Sequence, residues 1–120
     1  MIKLNVRNGS LEFYGMLINH SSTVQEFILQ NAPLNIELWV DNAEYKTYRL
    51  NYSDNYILMI RVFNNITYSL EIYSRKKGVF VDSLSKVLAK IGGEGDYSWG
   101  SVKMNVDDKA GYRSVLINYD

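Results

Sequence analysis

The clearest feature of the chain is a regular alternation of apolar and polar positions, which predicts antiparallel strands. Leu34 to Val40 alternates at every second residue, a pattern typical of a strand with one buried face. Tyr45 to Tyr52 and the two segments on either side of Asn64-Asn65 continue it, with short polar connections between them. The sequence therefore predicts a four-stranded antiparallel meander over residues 34–74.

Asn64-Asn65 is the predicted turn of the last hairpin in this meander, because asparagine adopts positive φ more readily than other non-glycine residues. Two registers compete. A two-residue loop pairs Phe63 with Ile66, whereas a three-residue loop, Phe63-Asn64-Asn65, places Asn65 at a left-handed bulge position. The longer loop collects the apolar residues on one face: Tyr56, Leu58, Ile60, Val62, Ile66, Tyr68, Leu70 and Ile72. This cleaner separation of faces favours the three-residue loop.

Helical spacing replaces alternation after the meander. Four apolar residues recur at i, i+3, i+4 and i+7, namely Leu84, Val87, Leu88 and Ile91. Asp82 or Ser83 is the predicted N-cap, and Gly92 ends the helix. The apolar stripe needs a sheet face to cover, and we expect it to cover the apolar face of the hairpin.

The N-terminal residues predict another hairpin and a short helix. Residues 2–6 alternate as a strand, Asn8-Gly9 favours a type I′ turn, and Leu11 to Ile18 is the predicted return strand. A short helix follows, with its cap at Ser22 or Thr23.

Two last strands, Val102 to Val106 and Tyr112 to Tyr119, complete the order ββα-ββββ-α-ββ. Short connections between neighbouring strands indicate antiparallel pairing. The predicted fold is therefore α+β: a single domain over residues 1–120, mostly antiparallel sheet, with two helices packed on it.

Composition limits the classes of function. Thirteen basic residues balance 13 acidic ones, whereas a dedicated nucleic-acid or membrane-surface protein needs a basic excess. The chain has no cysteine, so disulfides and thiolate chemistry are excluded. No signal peptide and no apolar run long enough to span a bilayer is visible, so we expect a cytoplasmic protein that does not bind membranes.

The sequence offers little for catalysis. His20 is the single histidine, and it precedes a predicted helix cap. The carboxylate pairs Glu94/Asp96 and Asp107/Asp108 lie in predicted turns, where acids are ordinarily solvated. Their spacing does not match a calcium loop, and the glycines that begin at Gly92 follow a helix instead of opening one. We therefore predict no enzyme activity, no cofactor and no metal site.

Aromatic residues point instead to recognition of a partner. The chain has ten tyrosines, and tyrosine and tryptophan are enriched in interface hot spots. The glycine-rich segment after Gly92 brings Glu94, Asp96, Tyr97 and Trp99 together, which favours contact with a partner. An alternative site is the basic turn Arg75-Lys76-Lys77, whose neighbouring tyrosines would suit single-stranded nucleic acid.

A small cytoplasmic α+β protein with acid-and-aromatic loops, no cysteine and no catalytic motif is similar to the immunity proteins of bacterial toxin systems, including contact-dependent growth inhibition. The resemblance implies an inhibitor that caps the active site of one cognate protein toxin, such as a nuclease. It implies a partner-binding set of four phosphate-mimicking acids and two aromatic anchors: Glu94, Asp96, Asp107, Asp108, Tyr97 and Trp99. The alternatives are a phage- or plasmid-encoded inhibitor of a host protein, and a small single-stranded nucleic-acid-binding domain.

Overall fold

The computed structural model describes residues 2–13, 16–19, 36–51, 56–74, 89, 93–107 and 112–120. Within these ranges the chain is almost entirely extended, and it forms two antiparallel sheets. No helix within these ranges has the length and hydropathy needed to cross a bilayer.

The first sheet is small and has three strands in the order β1-β2-β3. They are β1 (Ile2–Leu4), β2 (Leu11–Phe13) and β3 (Met16–Ile18). The predicted return strand over residues 11–18 is therefore wrong as a single element, because its two halves pair with each other as a hairpin. The loop from β1 to β2 is also longer than the predicted turn, and it is closed by a hydrogen bond from the Asn5 amide to the Ser10 carbonyl at 2.9 Å.

The second sheet has seven strands in the order β4-β5-β6-β7-β10-β9-β8. They are β4 (Ile36–Asn42), β5 (Tyr45–Asn51), β6 (Tyr56–Phe63), β7 (Ile66–Ser74), β8 (Gly95–Tyr97), β9 (Gly100–Asp107) and β10 (Tyr112–Tyr119). The predicted four-stranded meander is confirmed, since β4 to β7 are consecutive neighbours. The two C-terminal strands join it through β10, which pairs with β7.

The predicted three-residue hairpin loop is wrong. Asn64 and Asn65 both have positive φ, +49° and +66°, and Phe63 pairs with Ile66, so the loop has two residues. A register shift between Arg61 and Val62 then displaces the pairing by one residue. Because of that shift, most of the predicted apolar face survives, and its buried members are Leu58, Ile60, Val62, Leu70 and Ile72.

The buried core draws on both sheets. Leu11 and Ile18, which are paired across β2 and β3, pack in one cluster with residues of the large sheet. The large-sheet members are Leu50, Leu58, Ile60, Val62, Leu70, Ile72, Val102, Val115, Ile117 and Tyr119. Full burial of each leucine or isoleucine contributes about 1.5–3 kcal/mol, which makes this contact between the sheets a major source of stability.

The predicted α+β fold class is therefore wrong: the described fold is two antiparallel sheets with a shared core. The physical reason is that residues of the N-terminal sheet enter the core alongside the apolar face for which a helix was expected. Both predicted helical segments lie outside the described residues, apart from Ala89, which has helical backbone.

Candidate partner-binding surfaces

The β8–β9 hairpin positions the predicted aromatic anchors. Tyr97 ends β8 and pairs with Gly100 at the start of β9, so Ser98 and Trp99 form the turn. A side chain at Gly100 would collide with the carbonyl oxygen of Asn118 on the neighbouring β10. Glycine at this position therefore allows β9 to approach β10 closely, and the turn is fixed against the edge of the sheet.

Trp99 is partly buried and packs within the protein. Its ring stacks on Tyr97 with a centroid distance of 5.1 Å and an interplanar angle of 4°, and lies 5.7 Å from the ring of Tyr119. Its indole nitrogen donates to the carbonyl of Val6 at 2.8 Å. Trp99 thus connects the loop of the small sheet to the large sheet, and whether it also contacts a partner stays a prediction.

Tyr119 completes this contact from the last strand. It is 7% exposed, and its hydroxyl donates to the carbonyl of Gly9 at 2.7 Å. Burial raises the pKa of the Tyr119 phenol well above its ordinary value. Gly9 lies beneath both rings, since a Cβ there would stand 2.5 Å from Trp99 and 3.0 Å from Tyr119.

The structure brings together two of the four predicted acidic residues. Glu94 and Asp96 are exposed at the β8 edge and line a shallow depression of about 250 Å³ that also includes Lys103. Asp107 ends β9, six residues beyond the partner of Asp96, which corresponds to about 20 Å along the strand. Asp108 lies outside the described residues. A role for these acids in partner binding stays a prediction.

A buried carboxylate lies on the opposite face of the large sheet from the core. Glu71 is 2% exposed. Its Oε1 forms a salt bridge with Nη2 of Arg61, at a distance of 2.7 Å. Its Oε2 accepts hydrogen bonds from Nδ2 of Asn105 at 3.2 Å and from the hydroxyl of Ser114. Both carboxylate oxygens are therefore occupied by groups of the protein, which indicates a structural role for Glu71.

The ionisable groups of this network shift one another's pKa values. Burial alone would raise the pKa of Glu71, but the hydrogen bonds from Ser114 and Asn105 and the charge of Arg61 outweigh burial and lower it. Burial works against the Arg61 cation as well, and Glu71 outweighs it, so the pKa of Arg61 is raised. Burial and the Glu71 charge together raise the pKa of Tyr73 beside them.

Among the described residues, exposed apolar side chains are grouped near the β4–β5 and β6–β7 turns, on the same face of the large sheet as Glu71. We define the turn-end surface by five side chains on the face of the sheet away from the core that are 38–55% exposed: Trp39, Val40, Tyr45, Phe63 and Ile66. The register places Tyr45 opposite Phe63, and Phe63 opposite Ile66, so three strands contribute to the same end of the sheet. The rings of Tyr45 and Phe63 lie 4.6 Å apart, and Tyr68 meets Tyr45 edge-on at 6.3 Å.

Trp39 is held in place by a cation. The guanidinium carbon of Arg49 lies 4.6 Å from the centroid of the Trp39 ring. The pairing between β4 and β5 shifts register between Leu38 and Val40, so Trp39 stands at a bulge. Exposed tryptophan and tyrosine beside a half-buried arginine have the composition of an interface hot spot.

The sequence revealed this surface only in part. Trp39 and Tyr45 were predicted to face solvent, but Val40 was predicted to be buried and is exposed. Leu38 was also predicted to be buried and is exposed, but it lies on the core side of the sheet. Phe63 and Ile66 were missed because the preferred loop did not pair them; the rejected two-residue loop would have placed them together. The predicted basic turn over residues 75–77 and His20 lie outside the described residues. The part of the chain that is described contains no group of three or more potential metal ligands.

Comparison with known proteins gives one informative result. Neither the protein-family models nor the curated proteins match the sequence. Among solved structures, the chain is similar to one in the complex of Rhs1-CT with its cognate immunity protein RhsI1, with a TM-score of 0.71 and 17% sequence identity. The match covers 99% of this chain and 87% of that chain, so the fold as a whole is shared.

Proposed function

We propose that this protein is an immunity protein, which binds a cognate bacterial toxin and neutralises it in the cytoplasm of the cell that makes both. The observation that carries the proposal is the full-length fold similarity to a chain of a complex that contains a cognate immunity protein. The resemblance drawn from the sequence alone points to the same class of protein, and it rests on independent features of the chain.

The chemistry of the chain indicates that this protein corresponds to the immunity protein of that complex and not to the toxin. The sequence has one histidine and no cysteine, which removes most nucleophile–base pairs. The buried carboxylate of Glu71 is bound on both oxygens by its neighbours in the sheet. By contrast, the exposed aromatic side chains Trp39, Tyr45 and Phe63 are grouped in one part of the sheet, as a binding protein requires.

In the proposed mechanism the immunity protein acts by occupying a surface. It caps the toxin's active site and performs no chemistry itself, so inhibition depends on affinity and on the rigidity of the sheet. A nuclease suits this mechanism, because exposed carboxylates of an inhibitor can enter its basic cleft in place of substrate phosphates. The sequence predicted that role for Glu94 and Asp96, which are exposed at the β8 edge. Toxins of contact-dependent growth inhibition and of related delivery systems are the proposed targets.

Co-expression with the toxin encoded by the adjacent open reading frame tests the proposal. We expect the protein to restore growth of cells that produce the toxin, and to form a 1:1 complex with a nanomolar dissociation constant in calorimetry. An immunity protein from an unrelated toxin pair is the matched control and should give neither result. Absence of both rescue and complex formation would refute the proposed function.

A further inference from the structure

We propose that the turn-end surface is where the cognate toxin binds, and that the toxin presents there an apolar surface rimmed by lysine or arginine. This inference rests on the proposed function, because it identifies the face through which that function is exercised. It differs from the prediction made from the sequence, which placed the contact at residues 94–99 and at Asp107 and Asp108.

The apolar area of the turn-end surface is large enough for the centre of a stable interface. Its five side chains are 38–55% exposed. Half-exposed side chains of this size leave on the order of 500 Å² accessible, near the upper end for the largest patch on a monomeric protein. A standard interface buries about 800 Å² on each partner, with an apolar centre and a polar rim. The turn-end surface has the dimensions of that centre.

The exposed charges around the patch are negative. Among the described residues of β4 to β7 and their turns, the exposed charged side chains are Glu37, Asp41 and Glu44. They border Trp39 and Tyr45 along the edge strand and its turn. A partner that docks on the apolar centre therefore meets carboxylates at its rim.

The cations of the same region are half-buried: Lys46 and Arg61 each have an anionic partner, and Arg49 lies against an aromatic ring while its Nε has no hydrogen-bond partner among the described residues. Lys46 lies 3.9 Å from Asp41, and Arg49 lies against the ring of Trp39. Arg61 is bound to the buried Glu71. What the surface offers to an incoming protein is thus apolar area with exposed acids, which complements a basic rim.

The same charges disfavour a second copy of this chain as the occupant. Antiparallel pairing of two β4 strands centred on Trp39 would place Glu37 of each copy opposite Asp41 of the other. Like charges directly opposite one another in a sheet are destabilising. The register shift at Trp39 also interrupts the edge that a second copy would extend.

The turn-end surface and the acidic β8 edge are too far apart to act as one compact site. β4 and β8 are the two edge strands of the seven-stranded sheet, six inter-strand steps apart. At about 4.8 Å for each step they are separated by roughly 29 Å, which is about the full width of a standard interface. Substitutions in each surface can therefore be tested separately.

The experiment measures the affinity of full-length variants for the toxin from the adjacent reading frame, at low and at physiological salt. Tyr45→Ser combined with Ile66→Ser should raise the dissociation constant by about 100-fold. Glu37→Lys combined with Glu44→Lys should raise it by about tenfold and reduce its dependence on salt. Leu17→Ser, at an apolar side chain of the small sheet that is 60% exposed, is the matched control and should change it less than about threefold.

Glu94→Lys combined with Asp96→Lys tests the β8 edge in parallel. Loss of binding in this variant, with binding kept in the turn-end variants, would overturn the inference and leave the proposed function intact. A wild-type protein that neither binds nor protects would refute the proposed function, and the inference with it. A wild-type dimer in light scattering that Tyr45→Ser combined with Ile66→Ser dissociates would assign the surface to self-association and so overturn the inference. Melting temperatures within a few degrees of wild type establish that each variant is folded.

Discussion

The hydroxyl of Tyr119 donates a hydrogen bond to the backbone carbonyl of Gly9 at 2.7 Å, and this bond ties the last strand of the large sheet to the loop between β1 and β2. Trp99 reinforces the connection through its own bond to the carbonyl of Val6 in that loop. The amide of Asp120 donates to the carbonyl of Trp99 at 2.9 Å, so the residue that follows β10 is bonded to the same turn. The two sheets are therefore joined by a specific polar contact in addition to their shared core.

Tyr119→Phe should destabilise the protein by about 1–3 kcal/mol, because the buried carbonyl of Gly9 loses its partner while the packing of the ring is kept. Urea unfolding followed by tryptophan fluorescence measures the loss. Tyr45→Phe is the control: Tyr45 is 53% exposed, and we expect a change in the free energy of unfolding within about 0.5 kcal/mol. Equal stability of the two variants would contradict a structural role for the Tyr119 hydroxyl.

Stability should fall at alkaline pH in a way that depends on Tyr119. Burial raises the folded-state pKa of this phenol above the unfolded value of about 10. The stabilisation from the protonated Tyr119 phenol is therefore complete below pH 10. It is lost as the pH rises from there towards the folded-state pKa, because the unfolded chain releases the proton first. The urea midpoint of wild type should drop more steeply above about pH 10 than that of Tyr119→Phe. Parallel curves would show that the phenol does not titrate differently in the two states.

Gly9→Ala should destabilise the protein more than the same substitution at Gly93, another glycine with positive φ. Gly9 has φ +76°, and a Cβ would stand 2.5 Å from the ring of Trp99. Gly93 has φ +80° but nothing within 4 Å of a Cβ, so Gly93→Ala reports the backbone strain alone, about 1–2 kcal/mol. We expect Gly9→Ala to cost at least about 1 kcal/mol more than Gly93→Ala in thermal or urea unfolding. A smaller difference would mean that Trp99 moves aside without loss.

The strands of the meander were predictable from the sequence because alternation and short polar turns are local signals. Which side chains of β6 and β7 face the core was also predictable, because few arrangements bury Leu58, Ile60, Leu70 and Ile72 together. The turn was harder. A two-residue loop followed by a register shift between Arg61 and Val62 gives nearly the same face as a three-residue loop, and periodicity does not distinguish them.

The fold class was not predictable by the same means, because it depends on which element covers the apolar face. Leu11 and Ile18 lie in strands of only three residues, and nothing local shows that they enter the core of the large sheet. The contacts of Trp99 are equally non-local, since Val6 lies 93 residues away in the sequence. Glycine and aromatic content suggested an exposed loop there, whereas tertiary packing determines the position of the ring.

Removing the charge of Glu71 should destabilise the protein and change its response to acid. Glu71→Gln leaves Arg61 without its carboxylate in a half-buried position, and we expect a loss of about 3 kcal/mol at pH 7. Glu12→Gln, at an exposed carboxylate on β2, is the control and should be nearly neutral. Arg61→Met combined with Glu71→Leu should cost less than the sum of the single changes, because neither charge is then left alone.

The acid dependence follows from the direction of the shift. The folded-state pKa of Glu71 is lowered, so its contribution is complete above the unfolded value of about 4.3 and is lost as the pH falls towards the folded-state pKa. The stability difference between wild type and Glu71→Gln should therefore be largest near pH 7 and should narrow steadily below about pH 4. Denaturant titrations at several pH values between 3 and 7 measure it. A difference that stays constant over this range would show that the carboxylate is protonated equally in both states, and that the network owes its stability to packing instead of charge.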